Sequence, residues 1–523
     1  MARQKEPREI EIIDLNPKNK NQKNKNSKKN NSNNNENRAK GSRSKEPQPI
    51  QPKEKNGSKN REFAVITYGF LALFIALSVY FCYFMEFQSE DFINNSYNAR
   101  IAQLSNSIIR GDIVSSDGEV LATSSVDSQG NETREYPNGS TFAHVIGYNS
   151  NGLMGVELDA NFYLLRSHSF ILNRLLNDLK DEKSQGDTVV TTLNAQLQKT
   201  AYFAMGNYDG AVVAMEPSTG KILSMISKPD FDPNTIEDDY SEIATDSSSS
   251  VLLNRATSGL YPPGSTFKIL TALEYLNEGG NNTDSFDCDG SFTSDGYEIH
   301  CYGNKAHGNE TFLEAFGNSC NVVFSQVGLT LDLNSFYGLS EQLLFNKSLP
   351  TRLSNVKSSS FSLSEDASDS LIMQTSIGQG DTLVTPLHMA MIASSICNEG
   401  LLMEPYIIDS VQNDEGTNVE SYSESEYGNI LTTVQAEELE EYMRFVVTDG
   451  TASALNTDSY EAFGKTGSAE YNSDKDDTHS WFVGYAKDGD KEIAVAIILE
   501  GAGSGSSYAV PVAKAMFDTY FGN

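Results

Sequence analysis

A chain of 523 residues with a formal net charge of −32 is too long for one ordinary hydrophobic core and leaves room for two or three folded units plus appendages. The charge is divided: residues 1–62 hold 17 Lys and Arg against 8 Asp and Glu, a net of +9, and the remaining 461 residues carry 22 basic and 63 acidic groups, a net of −41. Five cysteines in this length exclude a disulfide framework.

Residues 1–62 form a low-complexity Asn/Lys/Ser tail, with the run Asn30-Asn31-Ser32-Asn33-Asn34-Asn35 and almost no aromatic or β-branched residue after Ile13. Such a segment cannot bury enough apolar area to offset its ordering entropy, so disorder is expected. Its basic charge suits anionic inner-leaflet lipids, and a nucleic-acid partner is not expected. Residues 63–85 are then 23 positions without a charge, bracketed by Glu62 and Glu86. At about 1.5 Å per residue they cover the roughly 30 Å hydrocarbon core as one transmembrane helix. A cleaved signal peptide fits less well, because Tyr80-Phe81-Cys82-Tyr83-Phe84 is bulky where a cleavage site wants small residues. Lys53, Lys55, Lys59 and Arg61 flank the N-terminal side, so the positive-inside rule predicts a cytoplasmic N-terminus, a single-pass protein of the cell membrane, and an extracellular body.

Residues 86–185 mix short strand-like runs and turns, such as Ile113-Val114, the turn Ser116-Asp117-Gly118, and Val120-Leu121-Ala122. They are expected to form a small N-terminal module. Residues 186–523 change to an α/β grain. A hairpin is predicted across Pro217-Ser218-Thr219-Gly220, a second across Asp488-Gly489, and a closing helix over residues 512–521. Strands at both ends with helical stretches between them fit a sheet flanked by helices. Cys288 and Cys301 bracket a hairpin-like stretch, and a disulfide and two free thiols remain equal alternatives there. No CxxC pair or His-rich spacing is present, so neither a metal site nor a cofactor is expected.

The chemistry concentrates at Tyr261-Pro262-Pro263-Gly264-Ser265-Thr266-Phe267-Lys268. Pro and Gly punctuate its start, which predicts Ser265 in the first turn of a largely buried helix with the Lys268 amine on the same face. A serine hydroxyl needs a base, and a lysine can serve only when desolvation or a neighbouring cation leaves it neutral. Alone, Ser-x-x-Lys is a chance pattern. Here it is followed by Ser319-Cys320-Asn321 and, 200 residues past Ser265, by Lys465-Thr466-Gly467-Ser468, and that ordered trio is not readily accidental. Each would be a loop turn or a strand end by itself.

The trio resembles that of penicillin-binding proteins. Gly378-Gln379-Gly380, Thr385-Pro386-Leu387, Asp449-Gly450-Thr451-Ala452 and Trp481-Phe482-Val483-Gly484 are similar to the transpeptidase domain of the class B members. Arg110-Gly111-Asp112-Ile113 and Gly155-Val156-Glu157 resemble their N-terminal pedestal, so the resemblance covers roughly residues 90–523. It implies an α/β (α+β) serine transpeptidase/β-lactamase-like fold, an antiparallel sheet flanked by helices, with a small pedestal, one transmembrane helix and a disordered tail. It also implies a peptidoglycan D,D-transpeptidase acting on stem peptides that end in D-Ala-D-Ala, inhibited covalently by β-lactams. In that scheme Ser265 is the nucleophile, Lys268 its base and Ser319 a proton relay. Asn321 binds the substrate amide, Lys465 and Thr466 hold the terminal carboxylate, Gly467 permits close approach, and Ser265 and Ser468 supply oxyanion N–H groups. A glycan polymerase of the SEDS family is the partner the resemblance implies. Cys320 stands where the best-known β-lactamase version has Asp. Glu341 lies one residue too far from Asn346 for the deacylating pattern of class A β-lactamases. A D,D-carboxypeptidase and a non-catalytic membrane scaffold are the competing readings. His300, His307 and His479 are expected to be surface or core-edge histidines, and Trp481 a packing residue.

Overall fold

The structure, a computed structural model, describes residues 59–87, 107–170, 177, 179–180, 182–246, 250–470 and 478–522; most of the basic tail lies outside the described residues. Helix α1, Lys59–Phe87, runs 29 residues. Its stretch Arg61–Phe84 has a mean hydropathy of 2.2 and is unburied, with Phe63, Phe70, Leu73 and Phe74 each more than 60% exposed. A helix apolar on all sides is stable only when covered, and about 36 Å of it suffices to cross a bilayer.

The body, taken by itself, centres on a five-stranded antiparallel sheet built from β1 (Gly210–Met215), β2 (Ile222–Lys228), β3 (Glu461–Glu470), β4 (Thr478–Asp488) and β5 (Lys491–Leu499), in the order β3-β4-β5-β1-β2. Both predicted hairpins are present: β1–β2 turns through residues 216–221 and β4–β5 through residues 489–490. Long-range pairing of β5 with β1, Ala494 opposite Met215 and Leu499 opposite Gly210, joins the two ends of the segment. Every residue of β1 and β2 is buried, which requires cover on both faces and explains why these strands read as continuous apolar runs rather than alternations.

Helices α2 (Ala195–Ala204), α5 (Pro386–Cys397), α6 (Thr433–Thr448) and α7 (Ala509–Phe521) pack on the sheet, and α3 (Lys268–Asn277) packs on α6 and on α4 (Asn321–Gly328). Helices α2 and α7 pack on each other and on β2 and β5, while α5 packs on β1, β4, β5 and α6. All 12 residues of α5 are buried; Thr385 caps it by accepting from the His388 N–H, and Pro386 occupies the first turn where its missing N–H costs nothing.

A second sheet, six-stranded, runs Asn418–Ser421, Ile408–Gln412, Thr188–Thr191, Ile113–Val114, Val120–Val126, Glu132–Glu135. Strands from the N-terminal module and from the middle of the chain therefore share one hydrogen-bonded ladder through Thr188–Thr191. The module is locked by a buried ionic cluster. Glu157 is 0% exposed and accepts from Arg110 Nε at 2.5 Å and Arg134 Nε at 2.7 Å, while Arg110 Nη1 donates to Asn161 Oδ1 at 2.6 Å. Burial alone would raise the Glu157 carboxyl; the two guanidiniums outweigh it and hold it below its ordinary range. Removing one partner of a buried pair strands the other charges, so Glu157→Ala should destabilise the body by about 3–5 kcal/mol. Thermal unfolding of the detergent-solubilised chain checks this, and an unchanged midpoint would refute it.

Candidate active site

Three segments meet at one edge of the main sheet. The first is the turn that starts α3. Gly264 sits at φ +53, and a Cβ there would lie 2.9 Å from both the Ala469 Cβ and the Ser468 O, so only glycine lets this turn lie against β3. The turn's N–H of Gly264 donates to the Gly378 O at 2.8 Å. Residues Gly264–Phe267 form a 3-10 turn, and Lys268 opens α3. Ser265 thus precedes the α-helix rather than lying inside it, and three residues per turn eclipse positions i and i+3, which stacks Lys268 on Ser265. Ser265 is half-buried; Lys268 is fully buried.

The second segment is the loop between the short helix Phe312–Gly317 and α4. Ser319 adopts φ +57, a left-handed conformation that costs a non-glycine residue on the order of 1–3 kcal/mol and persists only when neighbours enforce it. The kink directs the Ser319 carbonyl and hydroxyl to Lys268, whose Nζ donates to Ser319 O at 2.7 Å and Asn321 Oδ1 at 2.7 Å and lies 3.3 Å from Ser319 Oγ. Asn321 is fixed in turn by donating Nδ2 to the His300 O at 2.8 Å.

The third segment is β3. Lys465 is 0% exposed, and its Nζ donates to Ser319 Oγ at 2.9 Å and to Thr466 O at 3.2 Å. A Cβ on Gly467 would meet Trp481 Cβ at 2.9 Å, Thr266 Cγ2 at 3.0 Å and Pro263 O at 3.1 Å, so β3 approaches the Ser265 turn as closely as backbones allow. Ser468 follows beside Gly264.

Two buried amines thus converge on the single hydroxyl of Ser319. Burial pushes the Lys268 amine down to about 8. Burial also holds Lys465 well below its usual range, and the Lys268 charge lowers it further. Like charges this close cannot both be kept cheaply, so the site favours one charged and one neutral amine.

All eight residues singled out in the sequence, Ser265, Lys268, Ser319, Asn321, Lys465, Thr466, Gly467 and Ser468, lie on these three adjoining segments. Thr451 had no role assigned, yet its hydroxyl lies 2.6 Å from that of Thr466; the Asp449-Gly450-Thr451 turn was the available signal. Trp481 is buried and donates Nε1 to the Pro262 O at 3.1 Å, a packing and bracing role. Cys288 and Cys301 are free thiols with their sulfurs 3.6 Å apart, well beyond the roughly 2.05 Å of a disulfide.

Residues 210–518 match the family model of the penicillin binding protein transpeptidase domain, and residues 110–189 that of the penicillin binding protein A dimerisation domain. The peptidoglycan D,D-transpeptidase PbpA of Mycobacterium tuberculosis is 30% identical over 441 residues, covering 77% of this chain and 88% of the relative. MrdA of Acinetobacter baumannii, also a peptidoglycan D,D-transpeptidase, is 28% identical over 445 residues, covering 74% and 66%. Among solved structures, the ceftriaxone acyl-enzyme of penicillin-binding protein A from M. tuberculosis aligns with a TM-score of 0.72 at 27% identity, covering 80% of this chain and 99% of that one. A D,D-transpeptidase domain from Eggerthella lenta aligns with a TM-score of 0.70 at 30% identity, covering 78% and 97%.

Proposed function

The chain belongs to the penicillin-binding D,D-transpeptidase family, and from that premise we propose that Ser265 carries the acyl group and that the other seven residues act on it. The enzyme is a peptidoglycan D,D-transpeptidase inhibited covalently by β-lactams. The observation that carries the residue assignment is the pair of buried amines at 2.9 and 3.3 Å from Ser319 Oγ, one turn from Ser265.

The stem's terminal carboxylate docks on Lys465 and the Thr466 hydroxyl, a charge-assisted site. That anion draws the shared proton to Lys465, and the resulting ammonium keeps Lys268 neutral. A neutral amine has two N–H groups. Ser319 O and Asn321 Oδ1 take both at 2.7 Å, which leaves the lone pair for the Ser265 proton. Ser265 Oγ then bonds to the penultimate D-Ala carbonyl carbon, and the N–H groups of Ser265 and Ser468 hold the oxyanion. As the C–N bond breaks, the proton passes from Lys268 through Ser319 to the leaving D-Ala amine. The amine of a second stem reverses these steps and takes the acyl group.

Residues 1–62 form the tail, 63–85 the membrane span with the N-terminus cytoplasmic, 86–185 the pedestal and 186–523 the transpeptidase domain on the outer side. A SEDS-family glycosyltransferase is the partner proposed for the span and pedestal.

A product assay separates cross-linking from hydrolysis. Full-length enzyme given a donor stem pentapeptide and an amine acceptor should release D-Ala in step with cross-linked product. D-Ala release with only the hydrolysed tetrapeptide would instead make it a D,D-carboxypeptidase.

A further inference from the structure

The segment Gly378-Gln379-Gly380 is one of the runs that resemble the transpeptidase domain, yet no step of the transpeptidase chemistry uses its residues directly. It follows the helix Asp369–Ser376 and reverses the chain between two left-handed glycines, Gly378 at φ +76 and Gly380 at φ +73. Its base is fixed. The Gly378 N–H donates to Thr375 O and the Gln379 N–H to Gln374 O, each at 2.9 Å, while the Thr271 hydroxyl of α3 donates to Ser376 O at 2.9 Å. A Cβ on Gly378 would lie 2.0 Å from Gly264 O, so the segment is pressed against the Ser265 turn.

Two contacts leave this base in different directions. Gly378 O accepts from the N–H of Gly264, the residue before Ser265, at 2.8 Å. The Gln379 carboxamide, turned so that its oxygen faces a donor and its nitrogen an acceptor, accepts from the Glu470 N–H at 3.0 Å and donates to Glu470 O at 3.2 Å. One side chain thus satisfies both backbone groups of a residue on the free edge of β3, as a neighbouring strand would. The other edge of β3 is taken by β4. Backbone groups alternate between the two edges of a strand, so Ser468, which precedes Glu470 by one alternation, turns its N–H to the same free edge.

The proposed oxyanion donors sit on two separate elements, Ser265 on the turn and Ser468 on β3. Among the described residues no hydrogen bond joins that turn to β3 directly; they touch at Gly264, where a Cβ would lie 2.9 Å from both Ala469 Cβ and Ser468 O. Such contact sets a minimum approach and leaves the strand free to lift or slide. The segment at 378–379 removes that freedom by holding Gly264 with one group and Glu470 with another.

We infer that Gln379 is a positioning residue for acylation: its carboxamide fills the rung of β3 next to Ser468 and, with the Gly378–Gly264 bond, sets the gap between the two oxyanion donors, a role that rests on the assignments proposed for Ser265 and Ser468. Gln379 transfers no proton and forms no bond to the acyl group. It acts through the strand. A donor in such a hole works only when it lies about 2.7–3.1 Å from the developing oxyanion, and a displacement of about 1 Å can cost about 10²-fold in rate. The oxyanion is absent from the bound, unreacted ligand, so the loss falls on the limiting rate and not on binding.

The test follows penicillin acylation of the full-length, detergent-solubilised chain over a range of concentrations. Gln379→Met keeps the reach of the side chain and removes the amide. It should lower the limiting acylation rate by about 10–10²-fold and leave the half-saturating concentration little changed. A boronic acid, whose tetrahedral adduct on Ser265 puts an oxygen between the same two N–H groups, should lose affinity by the same factor. Gln379 is half-buried, so the variant should unfold at the wild-type temperature. An unchanged limiting rate, a loss carried by the half-saturating concentration alone, or a lower unfolding midpoint with both ligands unaffected would overturn the role. Mapping the acyl group by mass keeps the two assignments apart. Ser265 acylated at the wild-type rate in Gln379→Met would overturn the brace alone, whereas an acyl group on another residue would overturn the nucleophile and the brace together.

Discussion

Membranes carrying the Ser265→Ala chain, incubated with fluorescent penicillin, should show no labelled band where the wild type shows one. The reason is stoichiometric as well as kinetic: a β-lactam ring is opened by forming an ester to Oγ, and alanine has no atom to form it with. For turnover of stem peptides, loss of a nucleophile that works as a unit with its base costs on the order of 10⁶ in rate. The substitution should leave the fold intact. Ser265 is half-buried in a 3-10 turn, its hydroxyl has no hydrogen-bond partner among the described residues, and such a truncation is usually within about 0.5 kcal/mol. Equal thermal unfolding of the two proteins is therefore part of the expected result. A labelled band that survives the substitution would move the nucleophile elsewhere. Normal cross-linking in cells that carry only the alanine form would make the protein a scaffold.

Ser265, Lys268 and the Lys465-Thr466-Gly467 strand were legible because each belongs to a short run whose backbone is locally determined. Pro263 and Gly264 set the turn, and glycines at 264 and 467 mark the one place where turn and strand must touch. The hairpins of the main sheet were legible for the same reason, since turn residues lie between apolar runs. Long-range pairing was not. Nothing local in Ile408–Gln412 says that it joins Thr188–Thr191 and, through it, the strands at 113–135. Side-chain partnerships across distant segments were hidden as well: Thr451 meets Thr466 only because β3 passes the loop after α6. The cysteines are the sharpest case. Each reads alone as a small buried hydrophobe, and His307 reads as a core-edge histidine. The sulfurs of Cys288, Cys301 and Cys320 and the His307 ring meet because three short strands and the Ser319 loop fold onto one point.

Lys268→Met should lower the second-order rate of penicillin acylation by about 10²–10⁴, the usual contribution of a positioned base. Lys268→Arg should not rescue it, because a guanidinium cannot shed its proton in this range. Met keeps most of the stem buried against α4, so packing changes little; Ser319 O and Asn321 Oδ1 lose their donor, a cost of about 1–3 kcal/mol that thermal unfolding would register separately from rate. The pH profile supplies the test that a merely structural lysine would fail. With burial holding the Lys268 amine at about 8, the neutral, basic form is scarce at low pH and dominant above that value. Wild-type acylation, measured at limiting penicillin so that it reports the free enzyme, should climb about tenfold per pH unit below 8 and level off above it. The residual reaction of Lys268→Met should lack that limb. If the variant keeps the same rise, the titrating group is another one, and Lys268 serves only to hold the Ser319 loop.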